Sequence, residues 1–336
     1  MDKKISFLQV FGILLVVLGH SEISGTFLFH WIYSFHMPLF MFISGYLFYL
    51  SLTKNGKTIK DLNIKIGIKK KFQRLLIPYF VISSLAFLPK FILNKYAVRP
   101  VAFDLKCFIN GFLYPTENPI IFFWFLPTLF IIMILVMIIL RKLRDINVML
   151  LIVTLVIGII SRFYIHVSIL NISGCLNYLF FFVLGMYVKK NYYLILKSFQ
   201  KRNMRYVITS VLFLILTILD IYTYNFVDSF SGVVKSVYYY FVGTVGISFS
   251  FCLAYFYELN DYNFFKKLYG TSYSIYLLSW FPQVFIRILW FQILKYNSLV
   301  GTILSFICGV LIPVIVNKIV KKYFSRVKFI RVLFGV

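Results

Sequence analysis

Acidic side chains are scarce in this chain of 336 residues, which has 10 Asp and Glu against 35 Lys and Arg. Charged residues of both signs make up 13% of the sequence and hydrophobic residues 61%. A soluble domain has about 25% charged residues, so this composition excludes an ordinary soluble domain. A net charge of +25 would indicate a nucleic-acid partner in a soluble protein, but the position of the charges argues against one here.

Cysteine is also rare, with four residues spread far apart along the chain. They are Cys107, Cys175, Cys252 and Cys308. No two of them have the short spacing typical of metal ligands, so the sequence predicts neither a disulfide nor a metal site.

Several patterns that define other classes of membrane protein are missing. The lack of alternating polar and apolar residues argues against a barrel, and the lack of an internal repeat weakens the case for a secondary transporter. The chain instead contains long runs such as IIFFWFLPTLFIIMILVMIIL, which are apolar on every helical face. We therefore expect an all-α polytopic membrane protein, with residues 1–336 forming one integral-membrane domain. Residues 1–24 resemble a secretory signal without an A-x-A-like cleavage site, so we expect an uncleaved first helix.

Ten apolar segments are long enough to cross a bilayer. They are 5–23, 30–52, 73–93, 120–140, 147–165, 174–190, 206–224, 235–256, 268–290 and 296–317. If the N-terminus is cytoplasmic, 27 of the 35 Lys and Arg residues lie in or beside cytoplasmic segments. This asymmetry follows the positive-inside rule and predicts about ten transmembrane helices in one bundle, with both termini cytoplasmic. The longest outer loop, residues 94–119, could cover an outward-facing site or be inert.

Two of the four histidines stand at the ends of apolar runs, where an ionisable side chain is costly. His20 closes the first run and His36 opens the second. Because Pro38 suits a first helical turn, we expect His36 near the start of helix two, at a depth similar to that of His20. A neutral imidazole in such a pair can take a proton from a hydroxyl, although His36 could instead lie among lipid headgroups. His30 and His166 are expected in outer loops.

Two polar residues accompany His20 in the sequence. Gln9 lies eleven residues earlier, which is very nearly three helical turns, so the two side chains share one face of helix one. This stripe could line a path for a long ligand, or Gln9 could bond a neighbouring helix. Glu22 could orient a histidine from the adjoining turn, or meet water.

Basic residues are dense between positions 54 and 74. Arg74 begins an apolar run, and its guanidinium has the fixed fork geometry that binds phosphate. Lys71 lies about one turn earlier on the same face. The two could anchor an anionic cofactor that arrives from the cytoplasm, or could simply snorkel toward water.

Four further residues are candidates for binding substrate or stabilising an oxyanion. Trp124 enters helix four from outside and could instead belong to an interfacial aromatic belt. Ser279, Gln283 and Arg287 are spaced by four, so they share one face of helix nine. We expect this face to point into the bundle or into a wet cavity.

Six motifs follow one another in order along the predicted helices. They are ILLVVLGH (13–20), FHMPLFMFISGYLF (35–48), KKFQRLLIPY (70–79), FWFLPTLF (123–130), LFFFVLGMYV (179–188) and GTSYSIYLLSW (270–280). Together they resemble the acyltransferase 3 family of bacterial membrane proteins, especially its fucose 4-O-acetylase-like branch. Three positions depart from the family pattern: Gln9 replaces a basic residue, Lys71 an arginine, and Ser279 the histidine of a YLLH motif.

The resemblance implies transfer of an acetyl or other short acyl group from acetyl-CoA (acyl-CoA) to a hydroxyl of an extracytoplasmic or lipid-linked surface glycan. It implies His20 as the catalytic residue, with His36 in the same centre and Arg74 and Lys71 near the donor. We expect a multi-pass protein of the bacterial cytoplasmic membrane, in contact with acyl-CoA, glycan and membrane lipid.

Two other classes of function remain open at this point. An exporter of surface polysaccharide or its precursor would also need a polar cavity, and a scaffold in a synthase complex would tolerate replacement of both histidines. An acetyltransferase changes the mass of each modified sugar, whereas an exporter changes only its location. The residues name neither the sugar nor the acyl group nor the oligomeric state, and an acyl-histidine intermediate is the less favoured route.

Overall fold

A computed structural model describes residues 3–54, 58–97, 99–102, 104–193, 202–226, 231–259, 264–296 and 299–336. Within these ranges every regular element is helical, which confirms the all-α prediction. The α-helices are α1 Lys3–Gly19, α2 Phe27–Thr53, α3 Ile64–Lys71, α4 Ile77–Ile92, α5 Leu105–Leu113, α6 Phe125–Leu143, α7 Val148–Tyr164, α8 Ile172–Lys190, α9 Arg202–Phe226, α10 Gly232–Leu259, α11 Ser272–Leu278, α12 Trp280–Ile286, α13 Leu299–Tyr323 and α14 Lys328–Leu333.

Several of these helices are long and apolar enough to cross a bilayer. In the described ranges six meet this test: Phe27–Thr53, Ile64–Ile92, Ile121–Leu143, Ile169–Lys190, Gly232–Tyr257 and Leu299–Tyr323. The pair Ser272–Leu278 and Trp280–Ile293, bent by 48°, makes a seventh if it counts as one span. Three other apolar stretches are shorter than these spans. They are α1, which has 17 residues, α7 (Val148–Tyr164) and the part Val207–Ile221 of α9. The protein is therefore a polytopic helical membrane protein, and the count of ten stays a prediction.

The connection from α1 to α2 is a tight turn that fixes where α2 begins. Glu22 and Gly25 have left-handed backbone conformations, with φ of 62° and 79°. The Thr26 side chain then caps α2 by accepting a hydrogen bond from Phe29 N at 3.2 Å. Because this cap starts the helix at Phe27, α2 begins earlier than the sequence indicates.

The early start of α2 corrects two expectations from the sequence. His36 lies in the body of α2, and Pro38 stands inside the helix rather than in its first turn. His30, expected in an outer loop, is also part of α2. A threonine cap was the deciding local signal, and it outweighed the preference of proline for a first turn.

Helix α2 packs closely against α8 at two glycines. A Cβ atom at Gly45 would overlap the carbonyl oxygen of Phe182, and one at Gly185 would overlap that of Phe42. Small residues allow two helix backbones to approach in this way. The crossing holds α2, and with it His36, in a fixed position against the bundle.

Two stretches of π-helix interrupt the spans. Phe72–Leu76 joins α3 to α4 and contains Arg74, and Arg287–Ile293 follows α12 and contains Arg287. Single π turns inside α-helices occur frequently at functional sites. Lys57 lies outside the described residues, as does the side chain of Lys60.

Candidate active site

The bundle encloses a main cavity of about 680 Å³. It follows α2 from Tyr33 to Lys54, which is about 30 Å of helix. It is lined by Gln9, Val16, His20, Tyr33, His36, Met37, Phe40, Ile43, Ser44, Leu47, Phe48, Leu50, Ser51, Lys54, Lys71, Arg74, Leu75, Ile121, Phe122, Trp124, Phe125, Leu129, Met133, Tyr178, Tyr239, Gly270, Ser272, Tyr273, Tyr276 and Gly335. The cavity therefore connects a basic end to a histidine end through a mostly apolar passage.

The histidine end brings His20 and His36 together around one tyrosine. The Tyr33 hydroxyl lies 3.5 Å from His20 Nε2, and the Tyr33 ring lies 4.6 Å from the His36 ring, centroid to centroid. His20 also lies close enough to His36 for the two rings to interact electrostatically. The sequence predicted the histidine pair at similar depth, but it gave no role to Tyr33.

The backbone fixes the orientation of His36. Its Nδ1 lies 2.8 Å from the carbonyl oxygen of Ile32, one turn earlier in α2. Because a carbonyl only accepts, Nδ1 carries the hydrogen in this pair and Nε2 keeps its lone pair. His36 is almost fully buried, at 3% exposure, and it lines the main cavity.

The basic end of the cavity is formed by Lys54, Lys71 and Arg74. Lys71 Nζ lies 5.4 Å from the centroid of the Phe48 ring, and the Arg74 guanidinium lies 5.5 Å from that of Tyr273. Aromatic faces at this distance attract cations and hold them in place. Gln9 lines the same cavity, on the face of α1 that also carries His20.

Gln283 ties the bent α11–α12 pair to the end of α1. Its side-chain nitrogen donates to the Val17 carbonyl at 2.8 Å and to the Ser21 hydroxyl at 3.0 Å. Both partners flank His20 in sequence, so Gln283 positions the turn that carries the histidine. Ser279 is buried at the start of α12, at 1% exposure, and it lies outside the lining of the main cavity.

Glu22 and Arg287 form an ion pair beside the histidine turn. From the sequence, Glu22 could orient a histidine or face water. In the structure its carboxylate pairs with Arg287. The pair joins the α1–α2 turn to the π-helix Arg287–Ile293. It is a second link between the histidine turn and the α11–α12 region.

Trp124 lies in the wall of the main cavity. Its ring stacks on Tyr178 with a centroid distance of 5.4 Å and an interplanar angle of 23°. The Trp124 carbonyl accepts a hydrogen bond from Thr128 in the first turn of α6. The residue is therefore held by packing against α8 as well as by its own helix.

A second cavity of about 280 Å³ meets the main cavity at His20. His20, Ile121 and Phe122 line both cavities, and the Phe122 ring lies 5.0 Å from the His20 ring. The second cavity is lined further by Pro89, Lys90, Leu93, Tyr96, Ala97, Arg99, Pro119, Trp280, Phe281, Gln283, Val284, Phe285, Arg287 and Ile288. One imidazole thus borders two compartments that a donor and an acceptor could enter separately.

Metal-ligating side chains do not gather anywhere in the part of the chain that the structure describes. No group of three or more His, Cys, Asp or Glu residues there could hold a metal ion. All four cysteines are free.

Residues 2–318 match the model of the acyltransferase 3 family, which is described as an acyltransferase domain. The chain belongs to this family. No curated protein and no solved structure matches it. The acyltransferase is an enzyme that transfers acyl groups between a donor and an acceptor. The resemblance of the six motifs to the family is confirmed, and the branch within the family stays a prediction.

Two residues of the candidate site were not predicted from the sequence. Tyr33 stands three residues before His36, so helical spacing alone would have placed it on the same face. Phe122 belongs to a short 3₁₀-helix, Ile121–Trp124, and no signal in the sequence tied it to His20. Its place depends on the packing of the segment before α6 against the end of α1.

Proposed function

We propose that the chain is a membrane O-acyltransferase that uses acyl-CoA, with acetyl as the preferred group, and a hydroxyl of an extracytoplasmic or lipid-linked surface glycan. The observation that carries the proposal is the main cavity, which joins three cationic side chains to the buried imidazole of His36 and the half-buried imidazole of His20. The resemblance of the six motifs to the fucose 4-O-acetylase-like branch favours acetyl and a sugar hydroxyl.

The phosphates of coenzyme A would lie at the basic end of the cavity. Arg74 offers a planar fork of donors for a phosphate, and Lys71 and Lys54 add point charges. The long pantetheine arm would extend along α2 and bring the thioester to His20. Remote binding of this kind holds the reacting carbonyl beside the catalytic base.

The transfer itself needs a base for the hydroxyl and a path for the proton. His20 would accept the hydroxyl proton as the sugar oxygen forms an ester bond with the acyl carbon. The carbon–sulfur bond of the thioester then breaks, and the leaving thiolate takes the proton from the imidazolium. Tyr33 and His36 would hold His20 in place during both steps.

The orientation in the membrane follows from the same arrangement. Most Lys and Arg residues fall on the side of the basic end, which the positive-inside rule makes cytoplasmic. Both termini would then be cytoplasmic, in the inner membrane of a bacterium. Acyl-CoA would enter from the cytoplasm, and the glycan would approach His20 from the other side.

Replacing the catalytic base tests the proposal. We expect His20→Ala to lower acetyl transfer by about 10²-fold or more, since that is the usual contribution of a positioned base. The measurement is transfer from labelled acetyl-CoA in proteoliposomes, together with mass spectrometry of the host surface glycan with and without the chain. The matched control is His166→Ala, which changes an exposed histidine in the connection after α7. Unchanged glycan acetylation in the His20 variant would refute the mechanism.

A further inference from the structure

The second cavity carries an unbalanced positive charge. Its described lining includes Lys90, Arg99 and Arg287 but no Asp or Glu. Both Arg99 and Arg287 lie within electrostatic range of Lys90. Glu22 pairs with Arg287, so Lys90 and Arg99 leave a net positive charge around this small space, which favours an anion there.

The hydrogen-bond partners of these cations leave two of them without a counter-ion in the described structure. Lys90 Nζ donates to the Pro119 carbonyl at 3.3 Å, and Arg99 Nη1 donates to the Thr116 carbonyl at 3.4 Å. Both acceptors are neutral. Arg287, by contrast, is paired with Glu22. Lys90 and Arg99 are therefore the two charges available to a ligand.

The rest of the cavity is suited to a ring-shaped ligand. Tyr96, Phe122, Trp280 and Phe281 contribute aromatic surface. A ligand site typically combines apolar and aromatic walls with a few placed polar groups that fix orientation. His20 stands at the boundary with the main cavity, where a hydroxyl of the ligand would meet the thioester.

We propose that the second cavity is the acceptor subsite and that it selects a sugar carrying an oxyanion, either a carboxylate on the ring or a phosphate attached to it. Lys90 and Arg99 bind the oxyanion, the aromatic walls hold the ring, and the hydroxyl to be acylated faces His20. This inference rests on the proposed function of His20, and it adds the chemical class of the acceptor.

Matched acceptors test the charge requirement in proteoliposomes supplied with acetyl-CoA. The acceptors are a uronic acid glycoside, its neutral methyl ester, a hexose 1-phosphate and a neutral hexoside. We expect kcat/KM for at least one anionic acceptor to exceed that for the neutral compounds about tenfold or more. Comparing the uronic acid glycoside with the hexose 1-phosphate shows whether the oxyanion is a carboxylate or a phosphate.

Substitutions of Lys90 and Arg99 test whether these two residues bind the oxyanion. In Lys90→Gln combined with Arg99→Gln, the advantage of the anionic acceptor should fall about tenfold, because transfer to the neutral hexoside should fall much less than transfer to the anion. Lys106→Gln is the matched control, because Lys106 is an exposed residue of α5 that lines neither cavity. Equal kcat/KM values for both anionic acceptors and the two neutral compounds would overturn the inference, as would an equal loss for every acceptor in the double variant.

A binding measurement keeps this test separate from the proposed function. Without acetyl-CoA, the uronic acid glycoside or the hexose phosphate should raise the melting temperature of the wild-type protein, and the double variant should lose that shift. Binding of the anionic sugar without any acetyl transfer would refute the proposed function but support the anion site. Acetyl transfer to neutral sugars, with no rise in melting temperature on adding the anionic sugars, would refute the anion site alone.

Discussion

At the scale of single residues, the candidate site depends on how neighbouring residues orient His20 and His36. Ile32 fixes the tautomer of His36 through a backbone carbonyl, and Gln283 holds the turn that carries His20. The histidines were predictable because an ionisable ring in an apolar run is costly. The residues that orient them were harder to predict, because Gln283 lies more than 260 residues from Val17 in sequence.

Tyr33 offers the sharpest test of this orientation. Tyr33→Phe removes the hydroxyl near His20 Nε2 but keeps the ring, which packs against Phe29 at 4.1 Å between centroids. We expect kcat to fall roughly threefold to tenfold, the value of one modest hydrogen bond, with KM for the donor unchanged. Steady-state kinetics check this, with the exposed Tyr164→Phe as control. A change in donor KM alone would contradict the assignment.

The basic end of the main cavity predicts a different kinetic signature. Combining Lys71→Ala with Arg74→Ala removes two cations from the proposed phosphate site, so KM for acetyl-CoA should rise roughly tenfold to hundredfold. The acetyl-CoA concentration dependence of transfer measures this. Lys69→Ala, an exposed change in the same helix, should leave KM unaltered. An unchanged KM in the double variant would place the donor elsewhere.

At the scale of helices, the apolar runs of the sequence located most elements, because a bilayer demands long apolar segments. Their breaks were not predictable. The start of α2 depends on the Thr26 cap, and the π turns around Arg74 and Arg287 depend on tertiary packing. These details matter because they set which side chains of a helix reach the cavity.

The α2–α8 crossing can be tested through its glycines. Gly45→Ala places a methyl group against the Phe182 carbonyl, and Gly185→Ala places one against the Phe42 carbonyl. Each should destabilise the fold by about 1–3 kcal/mol and lower transfer, since α2 carries His36. Thermal unfolding in detergent checks this. Gly111→Ala is the control, because its Cβ would meet only ordinary contacts, the nearest being Pro119 Cδ at 3.5 Å. Wild-type stability for both crossing variants would show that the helices can separate without cost.

At the scale of the whole molecule, the charge pattern predicted an orientation that the two cavities make testable. In a cysteine-free background, Lys54→Cys should react with a membrane-impermeant maleimide from the cytoplasmic side and Arg99→Cys from the opposite side. Vesicles of known sidedness provide the measurement, with the exposed Lys142→Cys and Lys106→Cys as references for each face. Labelling of both cavity positions from a single side would contradict the orientation.

The boundary shared by the two cavities has an electrical consequence for the cell. His20, Ile121 and Phe122 line both cavities, so in the proposed orientation only their side chains would separate the two sides of the membrane here. In the proposed mechanism an acyl group would cross at this point, which must stay closed to protons and sodium ions. With donor and acceptor entering as proposed, the Phe122 ring would help to keep this point closed, and a smaller residue there would let ions leak even where acyl transfer survived.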